Sequence, residues 1–367
     1  MTLNRIIISG GGTGGHIYPA IAIAEALKTQ HPGIDILFVG AHGKMEMEKV
    51  PQAGFPIKGL KIAGFNRKNL LKNAALPFKI LNSISSAYSI VKSFKPQLVI
   101  GVGGYASGPT LQVANWLKIP TLIQEQNSFP GKTNMILAKK AKAICVAYPD
   151  MDRFFPKEVI HLTGNPVRKD LIHGVPNKQE GFDFYGLDAA KQTVFIMGGS
   201  LGAGSINLAV VNAVEKLKRL EDIQVIWQCG KGYFETYNKL DLPSHIKLLP
   251  FIERMDLAYA VADVIISRAG ATSISELTLV GKPCILVPSP NVTEDHQTKN
   301  AMSLTTRNAA ILVPDNKVEG LLWSTVQEIL TDSSQAKTLS EAIKQLALPN
   351  ATEDIVRICN QLTTHDK

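Results

Sequence analysis

The chain has few cysteines and no long apolar run. Its four cysteines, at positions 145, 229, 284 and 359, are far apart, so we expect neither a disulfide framework nor a paired metal-binding motif. No stretch reaches the roughly 18 consecutive apolar residues typical of a membrane-spanning helix. The first residues also lack the charged and apolar pattern of a secretory signal, and we therefore expect a protein of the reducing cytoplasm.

Aromatic residues make up only 7% of the chain, and the sequence shows no helix-turn-helix, zinc-finger or aromatic RNA-binding signature. The net charge of +8 is unevenly distributed. Residues 1–163 carry 19 basic and 8 acidic side chains, whereas residues 164–367 carry 20 and 23. A basic N-terminal half indicates an anionic partner. A phospholipid surface or a phosphorylated substrate is favoured, and no nucleic-acid partner is predicted.

The length of 367 residues exceeds the roughly 250–300 at which a single core stops growing, so two domains are expected. Short apolar runs alternate with helical stretches, which is typical of parallel sheets covered on both faces. The series of runs restarts near residue 193. We therefore predict an α/β protein of two doubly wound units, residues 1–164 and 165–349, with ligands in a cleft at the carboxyl ends of the strands. The predicted strands are residues 5–9, 35–39, 98–102, 121–124, 143–146, 161–163, 193–197, 224–228, 246–249, 264–267, 284–287 and 310–313.

Four glycine-rich loops each follow a predicted strand and precede a predicted helix. They span residues 10–16, 101–109, 198–203 and 268–273. Backbone amides and helix N-termini in such loops favour a phosphorylated ligand. The first loop fits the dinucleotide spacing through Gly10, Gly12 and Gly15, but no carboxylate ends the second strand, so a dehydrogenase is disfavoured.

Three other motifs have alternative interpretations. Residues 198–202 fit the hydrolase pattern G-x-S-x-G, and Asp263 and His296 follow Ser200 in the order that a hydrolase triad needs. Asp150 and Asp152 resemble a paired-aspartate metal clamp, but they lie in a predicted surface loop. Residues 131–133 resemble the end of a P-loop without its earlier glycine.

Together these segments resemble the MurG family of bacterial peptidoglycan glycosyltransferases. The resemblance implies a GT-B fold, in which two Rossmann-like domains face each other across a cleft, with a C-terminal helix (about residues 350–367) packed on the N-terminal domain. It implies an inverting hexosyltransferase that needs no metal and no cofactor. The matching segments are residues 10–16, 103–109, 125–127, 164–168, 198–203, 251–252, 268–276 and 295–301.

The family's reaction transfers N-acetylglucosamine from UDP-N-acetylglucosamine to the 4-hydroxyl of undecaprenyl-diphosphate-linked N-acetylmuramoyl-pentapeptide. The resemblance thus implies a role in cell-wall biogenesis, cell shape and cell division. It also implies a peripheral protein on the cytoplasmic face of the bacterial inner membrane, with cell-wall synthesis and division proteins as candidate partners. Two alternatives stay open: another lipid acceptor such as diacylglycerol, and a nucleotide-sugar sensor that binds the donor without turnover.

Site residues follow from the resemblance, position by position. Glu276 resembles the carboxylate that binds both ribose hydroxyls, and Arg168 and Ser200 resemble the diphosphate contacts. Ile252 resembles the residue whose backbone contacts uracil, and Gln297 resembles the amide that contacts the sugar. The remaining predicted substrate-binding residues are Thr13, Gly14, Gly15, Asn127, Ala271, Thr272 and Ser273.

The catalytic base has two candidates. His16 is the first choice, because an imidazole has a reference pKa of about 6.5 and suits general base catalysis at neutral pH. Glu125 is the second. The family's His-Glu-Gln-Asn run begins here with Gln124, so this chain has a neutral amide where its relatives have a histidine.

Residues 65–84 interleave apolar and basic side chains, which is typical of a segment at a membrane surface. The alternative is a helix packed on its own domain with solvated lysines. The predicted membrane-contact residues are Arg67, Lys68, Leu71, Lys72, Phe78, Lys79, Leu81, Trp116 and Lys140.

Overall fold

The computed structural model describes residues 3–62, 76–168, 171 and 176–364. It divides into two compact units. Unit 1 comprises Met1–Val167 and Asn350–Lys367, and unit 2 comprises Arg168–Pro349. Among the described residues, no helix has both the length and the apolar character needed to cross a membrane.

The described residues of unit 1 form one sheet of parallel strands. The strands are β1 (Arg5–Ser9), β2 (Asp35–Ala41), β3 (Ile57–Leu60), β4 (Leu98–Gly101), β5 (Thr121–Glu125), β6 (Ala143–Val146) and β7 (Ile160–Leu162). Their order is β3-β2-β1-β4-β5-β6-β7. Ile6 of the central strand pairs with Ile36 on one side and Leu98 on the other, and all three side chains are buried.

Helices connect these strands, as parallel pairing requires. They are α1 (Gly14–Gln30), α2 (Glu46–Gln52), α3 (Leu76–Phe94), α4 (Ser107–Trp116) and α5 (Lys132–Leu137). Short 3₁₀ turns at Ala138–Lys140, Met151–Arg153 and Lys157–Val159 complete the unit. The apolar face of α1, with Ile17, Ile23 and Leu27, lies in the main core of the unit.

Unit 2 repeats this design. Its strands are β8 (Gln192–Met197), β9 (Ile223–Gln228), β10 (Ile246–Leu249), β11 (Val264–Ser267), β12 (Cys284–Leu286) and β13 (Ile311–Leu312). They pair in parallel in the order β10-β9-β8-β11-β12-β13. The core of the unit includes the fully buried Trp227, whose indole N–H donates to Asn207 Oδ1 over 2.9 Å.

Eight α-helices are assigned among the described residues of unit 2. They are α6 (Lys178–Tyr185), α7 (Gly204–Leu217), α8 (Lys231–Tyr237), α9 (Met255–Val261), α10 (Ala271–Val280), α11 (His296–Thr305), α12 (Val318–Thr331) and α13 (Ser333–Lys344). Helix α9 is buried along its whole length, and Gly181 of α6 permits a close approach to it. A Cβ atom at Gly181 would lie 2.5 Å from Val261 Cγ1.

The last helix, α14 (Ala351–Thr364), belongs to unit 1. Its Ile355, Ile358 and Cys359 are buried in the same core as β1. At the edge of this contact, Asn360 Oδ1 lies 2.9 Å from His31 Nε2 and Asn360 Nδ2 donates to Gln30 Oε1 over 2.9 Å. Apolar burial and this amide therefore join α14 to α1.

The predicted fold class is confirmed, since both units are doubly wound parallel sheets of Rossmann type. In each sheet the strand order reverses at one switch point, between β1 and β4 in unit 1 and between β8 and β11 in unit 2. The four glycine loops follow these four strands. Because ligands of such sheets bind at the carboxyl side of the switch point, the topology directs attention to these loops.

Candidate functional site

Two glycine loops meet at the switch point of unit 1. The Gly11 N–H donates to the Gly103 carbonyl over 3.2 Å. Gly104 has a φ of +86°, and a Cβ atom there would lie 2.4 Å from the Gly11 carbonyl oxygen. The loops after β1 and β4 can therefore touch only while position 104 is glycine.

His16 lies in the first turn of α1 beside this contact. Its Nδ1 is 3.0 Å from the Gly11 carbonyl oxygen and 3.3 Å from Thr13 Oγ1. A carbonyl can only accept a hydrogen bond, so we assign the proton of the neutral ring to Nδ1 and the lone pair to Nε2. Nε2 faces Gly103, where a Cβ atom would lie only 2.9 Å away. The ring is thus held in the tautomer that a general base acting through Nε2 needs.

Glu125, the second predicted base, is buried and oriented toward its own loop. Its Oε1 accepts from the Asn127 backbone N–H over 3.0 Å and from the Asn127 amide over 3.3 Å. Its Oε2 accepts from Asn134 Nδ2 over 2.8 Å and from the Gly131 N–H over 3.2 Å. Burial raises the pKa of Glu125, and these hydrogen bonds oppose the shift. The geometry favours a loop-positioning role for Glu125 and favours His16 as the base.

Gln124 is fully buried near the end of β5. Its amide nitrogen donates to Asn165 Oδ1 over 2.8 Å, and Asn165 Nδ2 donates to the Gln126 carbonyl over 3.0 Å. The side chain therefore links β5 to the segment that follows β7. Gln124 therefore contributes to hydrogen bonding inside unit 1.

Glu46 is a site residue that the sequence did not reveal. It begins α2 and is only 2% exposed. Its Oε2 accepts from the Gly12 N–H over 2.8 Å, and its Oε1 accepts from the Ala41 N–H over 2.9 Å. A Cβ atom at Gly11 would lie 2.2 Å from the Glu46 carboxyl carbon. A buried carboxylate thus fills the crevice of the first glycine loop and binds an amide that a dinucleotide phosphate would need, which argues against a dehydrogenase.

In unit 2, Ser200 lies in an exposed turn after β8. Gly199 and Gly202 flank it with φ values of +83° and +79°, and a Cβ atom at Gly202 would lie 2.0 Å from the Cys229 carbonyl oxygen. Gln228 holds the turn by donating to the Gly199 carbonyl over 3.0 Å. Helix α7 begins only at Gly204, so Ser200 lies in the loop before the helix and not in its first turn.

Ala271, Thr272 and Ser273 form the first turn of α10, with Gly270 as the N-cap. The first N–H groups of a helix have no partner within it and carry a partial positive charge. This turn follows β11, the strand that neighbours β8 in the sheet. The geometry therefore suits an anionic group, as predicted for the donor diphosphate.

Glu276 lies in the second turn of α10 and is 5% exposed. Arg168 Nε donates to its Oε1 over 2.9 Å, and the Tyr259 hydroxyl donates to its Oε2 over 3.0 Å. A carboxylate that only complemented the helix dipole would not need these two partners. The structure joins two predicted donor-binding residues, Arg168 and Glu276, in one ion pair.

Two further predicted residues lie in the loops of unit 2. Ile252 follows β10 and its side chain is buried. Gln297, in the first turn of α11, accepts from the Ser289 N–H through Oε1 over 2.8 Å, which orients its amide. Glu294 and Asp295, just before α11, have φ values of +59° and +52°. Left-handed backbone at two successive non-glycine residues is strained and is often found at binding sites.

Arg268 connects several of these loops, although the sequence assigned it no role. Its Nη1 donates to the Val287 carbonyl over 3.0 Å and pairs with Asp315 Oδ1 over 2.5 Å. Its Nη2 donates to Ser205 Oγ over 2.9 Å. Arg268 thus ties the start of the loop before α10 to the first turn of α7.

The hydrolase alternative is excluded by topology. Ser200 follows the carboxyl end of β8, whereas Asp263 precedes the amino end of the neighbouring strand β11. Asp263 instead accepts from the Thr193 N–H over 2.8 Å and pairs with Lys178. The two residues lie at opposite ends of one sheet, so Asp263 cannot complete a triad with Ser200.

Asp150 and Asp152, the candidate metal clamp, lie at a short turn of unit 1. Asp150 has a φ of +61° and precedes the 3₁₀ turn that contains Asp152. In the ranges that the structure describes, no group of three or more His, Cys, Asp or Glu side chains is placed to bind a metal ion.

The predicted membrane-contact residues are only partly described. Arg67, Lys68, Leu71 and Lys72 lie outside the described residues. Phe78 and Leu81 of α3 are 76% and 65% exposed, and Trp116 at the end of α4 is 53% exposed. Lys79 and Lys140 are also exposed. These apolar side chains are accessible to a partner, and their contact with a membrane stays a prediction.

Comparison with known proteins agrees with this architecture. The glycosyltransferase family 28 N-terminal domain matches residues 6–146, and the family 28 C-terminal domain matches residues 193–355. The chain is 54% identical over 352 residues to the UDP-N-acetylglucosamine–N-acetylmuramyl-(pentapeptide) pyrophosphoryl-undecaprenol N-acetylglucosamine transferase of Flavobacterium psychrophilum, with 96% of each chain covered. It is 53% identical to the protein of the same name from Cytophaga hutchinsonii, covering 99% of this chain and 98% of that one.

A solved structure gives the same result. The crystal structure of Acinetobacter baumannii MurG aligns with a TM-score of 0.80 and 31% identity, over 98% of this chain and 99% of that one. Two Rossmann-type sheets, each with paired glycine loops at its switch point, define a glycosyltransferase of the GT-B class. The chain belongs to glycosyltransferase family 28 and, within it, to the MurG family.

Proposed function

We propose that this chain transfers N-acetylglucosamine from UDP-N-acetylglucosamine to the 4-hydroxyl of undecaprenyl-diphosphate-linked N-acetylmuramoyl-pentapeptide, with inversion at the anomeric carbon. The observation that carries this proposal is the 54% identity, over 96% of each chain, with a transferase named for that donor and acceptor. The product is the β-1,4-linked disaccharide lipid of peptidoglycan synthesis. The reaction belongs to cell-wall biogenesis, and through it to cell shape and division.

Unit 2 is proposed to bind the donor. Glu276 takes the ribose hydroxyls, while Arg168, Ser200 and the first turn of α10 bind the diphosphate. Charge develops on this diphosphate as the bond to the sugar breaks. Preorganised N–H donors stabilise that charge without reorganisation and the Arg168 guanidinium adds a charge-assisted contact, which supports a mechanism that needs no metal. Ile252 contacts uracil through its backbone, and Gln297 contacts the sugar.

Unit 1 is proposed to supply the base. The 4-hydroxyl oxygen of the acceptor attacks the anomeric carbon, the bond between that carbon and the diphosphate oxygen breaks, and UDP leaves with the electron pair. The hydroxyl proton passes to Nε2 of His16. The hydrogen bond between Nδ1 and the Gly11 carbonyl supports this role, because it leaves the lone pair on Nε2 and stabilises the imidazolium that forms. Thr13, Gly14, Gly15 and Asn127 complete the substrate contacts.

We also propose a peripheral position on the cytoplasmic face of the inner membrane, where a lipid-linked acceptor is accessible. Phe78, Leu81 and Trp116 insert among the lipids, and Lys79 and Lys140 face their headgroups. The exposure of these apolar side chains and the basic charge of residues 1–163 support this orientation. Cell-wall synthesis and division proteins would be its neighbours at this surface.

Release of UDP tests the proposal. The assay compares UDP-N-acetylglucosamine, UDP-N-acetylgalactosamine and UDP-glucose, each with and without the lipid acceptor and with and without EDTA. We expect rapid release only with UDP-N-acetylglucosamine and acceptor together, unchanged by EDTA. Release at the same rate without acceptor would contradict transfer. Turnover lost with EDTA and restored by manganese would contradict the metal-free mechanism, and a preference for diacylglycerol would overturn the acceptor.

A further inference from the structure

Behind the predicted ribose-binding carboxylate lies a fully buried hydroxyl. Tyr259 of α9 is 0% exposed, and its ring packs edge-on against Phe195 of β8, with 5.7 Å between centroids. Its hydroxyl donates to Glu276 Oε2 over 3.0 Å and lies 3.6 Å from Met197 Sδ. A carboxylate oxygen is a far stronger acceptor than a thioether sulfur, so the hydroxyl proton is directed at Glu276.

The two oxygens of Glu276 have different surroundings. Oε1 is bound by Arg168, whose side chain is 42% exposed, and Oε2 is bound by the fully buried Tyr259. A half-exposed arginine can turn toward a ligand, whereas Tyr259 is held by the packing around it. The hydroxyl therefore fixes the rotation of the carboxylate in a way that does not depend on Arg168.

Tyr259 is also a constant donor. Burial, followed by the nearby Glu276 charge, raises the pKa of the Tyr259 hydroxyl well above its usual value. The phenol therefore keeps its proton at neutral pH and acts as a donor there. Each carboxylate oxygen has two lone-pair directions, and the bond from Tyr259 uses one of those on Oε2.

We propose that Tyr259 is a positioning residue for donor recognition, which aligns the Glu276 carboxylate so that it binds both ribose hydroxyls of the uridine nucleotide. This inference rests on the proposed contact between Glu276 and the ribose. It adds a residue that does not itself touch the substrate and acts through a single hydrogen bond.

The test is Tyr259→Phe, which removes the hydroxyl and keeps the ring against Phe195. We expect the KM for UDP-N-acetylglucosamine to rise by about five- to tenfold, the size of one charge-assisted hydrogen bond acting indirectly, while kcat stays within about twofold. The decisive readout is the ratio of kcat/KM for UDP-N-acetylglucosamine to that for its 2′-deoxyribose analogue. This ratio should fall by several-fold, because a misaligned carboxylate gains less from the 2′-hydroxyl.

Two companion variants separate the possible outcomes. Glu276→Ala should abolish the preference for the ribose donor, and adding Tyr259→Phe to it should change the preference no further. Tyr185→Phe is the matched control, since its part-buried hydroxyl also donates one hydrogen bond in the same unit, to the Arg254 carbonyl over 2.9 Å. It should lower the Tm to a similar extent and leave the preference unchanged.

The failures are distinguishable. If Glu276→Ala kept the ribose preference, the proposed ribose contact itself would be wrong. If Glu276→Ala lost the preference while a folded Tyr259→Phe kept it, Tyr259 would be only a core residue and the inference would be overturned. If Tyr185→Phe changed the preference as much as Tyr259→Phe, the effect would reflect general loosening of the unit, and the positioning role would again fail.

Discussion

Arg168 Nε donates to Glu276 Oε1 over 2.9 Å. The sequence had assigned these residues to different parts of the donor, the arginine to the diphosphate and the carboxylate to the ribose. If both assignments hold, we expect donor binding to exchange partners: Arg168 leaves the carboxylate for the phosphates, and ribose hydroxyls take its place. The ion pair also compensates the charge of the nearly buried Glu276 carboxylate.

Replacing Arg168 by alanine separates the two contributions. UDP should bind at least about tenfold more weakly, because charge-assisted bonds to the diphosphate are lost. Uridine has the ribose but no phosphates. The variant should bind uridine at least as tightly as the wild type does, because Glu276 no longer has to release Arg168. Titration calorimetry with both ligands measures this, with the exposed Arg219→Ala as a control. Equal weakening of uridine and UDP would show that Arg168 is needed for the shape of the whole site.

Replacing His16 by alanine should lower kcat by about 100-fold or more, as expected for loss of a general base, with little change in the KM for the donor. Initial rates of UDP release provide the measurement. His31→Ala is the control, because His31 is also a hydrogen-bonded histidine of unit 1, but its ring faces Asn360 of α14. Near-normal turnover in His16→Ala would remove His16 from the role of base.

The space beside His16 can be tested separately. Gly103 has a φ of +95°, and a Cβ atom there would lie 2.9 Å from His16 Nε2. Gly103→Ala should therefore displace the ring and lower kcat by about tenfold or more while the imidazole itself remains. Gly131→Ala is a useful comparison, because no atom lies within 4 Å of the position that its added methyl group would take. Full activity in Gly103→Ala would show that the ring position is not critical.

Glu46→Gln tests the buried carboxylate behind the first glycine loop. An amide has only one acceptor oxygen, so either the Gly12 or the Ala41 N–H loses its partner, at a cost of about 1–3 kcal/mol. We expect a lower Tm and a lower kcat, with a smaller change in the KM for the donor, because the loop carries His16 whereas the ribose and diphosphate contacts are proposed for unit 2. Glu48→Gln on the same helix, with a 66% exposed side chain, should change neither quantity. If kcat were unaffected despite a lower Tm, Glu46 would serve stability alone.

If unit 1 contacts an anionic membrane through Lys79 and Lys140, reversing these two charges should weaken its binding to vesicles. Changing Lys79 and Lys140 together to glutamate should weaken binding to phosphatidylglycerol vesicles by about tenfold or more, since each basic residue contributes about 1 kcal/mol near an anionic surface. Vesicle co-sedimentation measures it, with phosphatidylcholine vesicles as the uncharged reference. The control is a double variant of unit 2, Lys239→Glu with Lys337→Glu, which has the same change of net charge. It should bind phosphatidylglycerol vesicles as tightly as the wild type does. Equal binding by both double variants would place the contact elsewhere.

The sequence predicted twelve of the strands, and the inner ones, such as β1, β4 and β11, are buried and largely apolar runs, as strands covered on both faces must be. It missed β3, Ile57–Leu60, which is an edge strand with alternating exposure and a glycine at position 59. Gly59 is suited to that place, because the His42 ring lies within 3.0 Å of where its Cβ would be. With only four residues, of which two are Lys58 and Gly59, this strand has no apolar run that the sequence could reveal.

The sequence predicted the site residues that lie in glycine loops. Each such loop follows an apolar run and precedes a helical stretch, so its place at the carboxyl end of a strand can be read from the sequence. Glu46, Tyr259 and Arg268 were not assigned roles, because each acts on a loop or side chain distant in sequence. Glu46 sits in an ordinary first turn, and Tyr259 sits in a short apolar helix whose sequence indicates only burial. Topology, too, was needed to separate Ser200 from Asp263. The roles of the remaining residues toward substrates stay predictions.

The burial of α14 in unit 1 makes unit 2 an insertion in the chain, entered at Arg168 and left at Pro349. A truncated chain that stops at residue 349 would strip Ile355, Ile358 and Cys359 from the core around β1, and it should aggregate instead of yielding an isolated first domain. By the same reasoning, a nonsense mutation only a few codons before the last helix should abolish the protein as effectively as an early one.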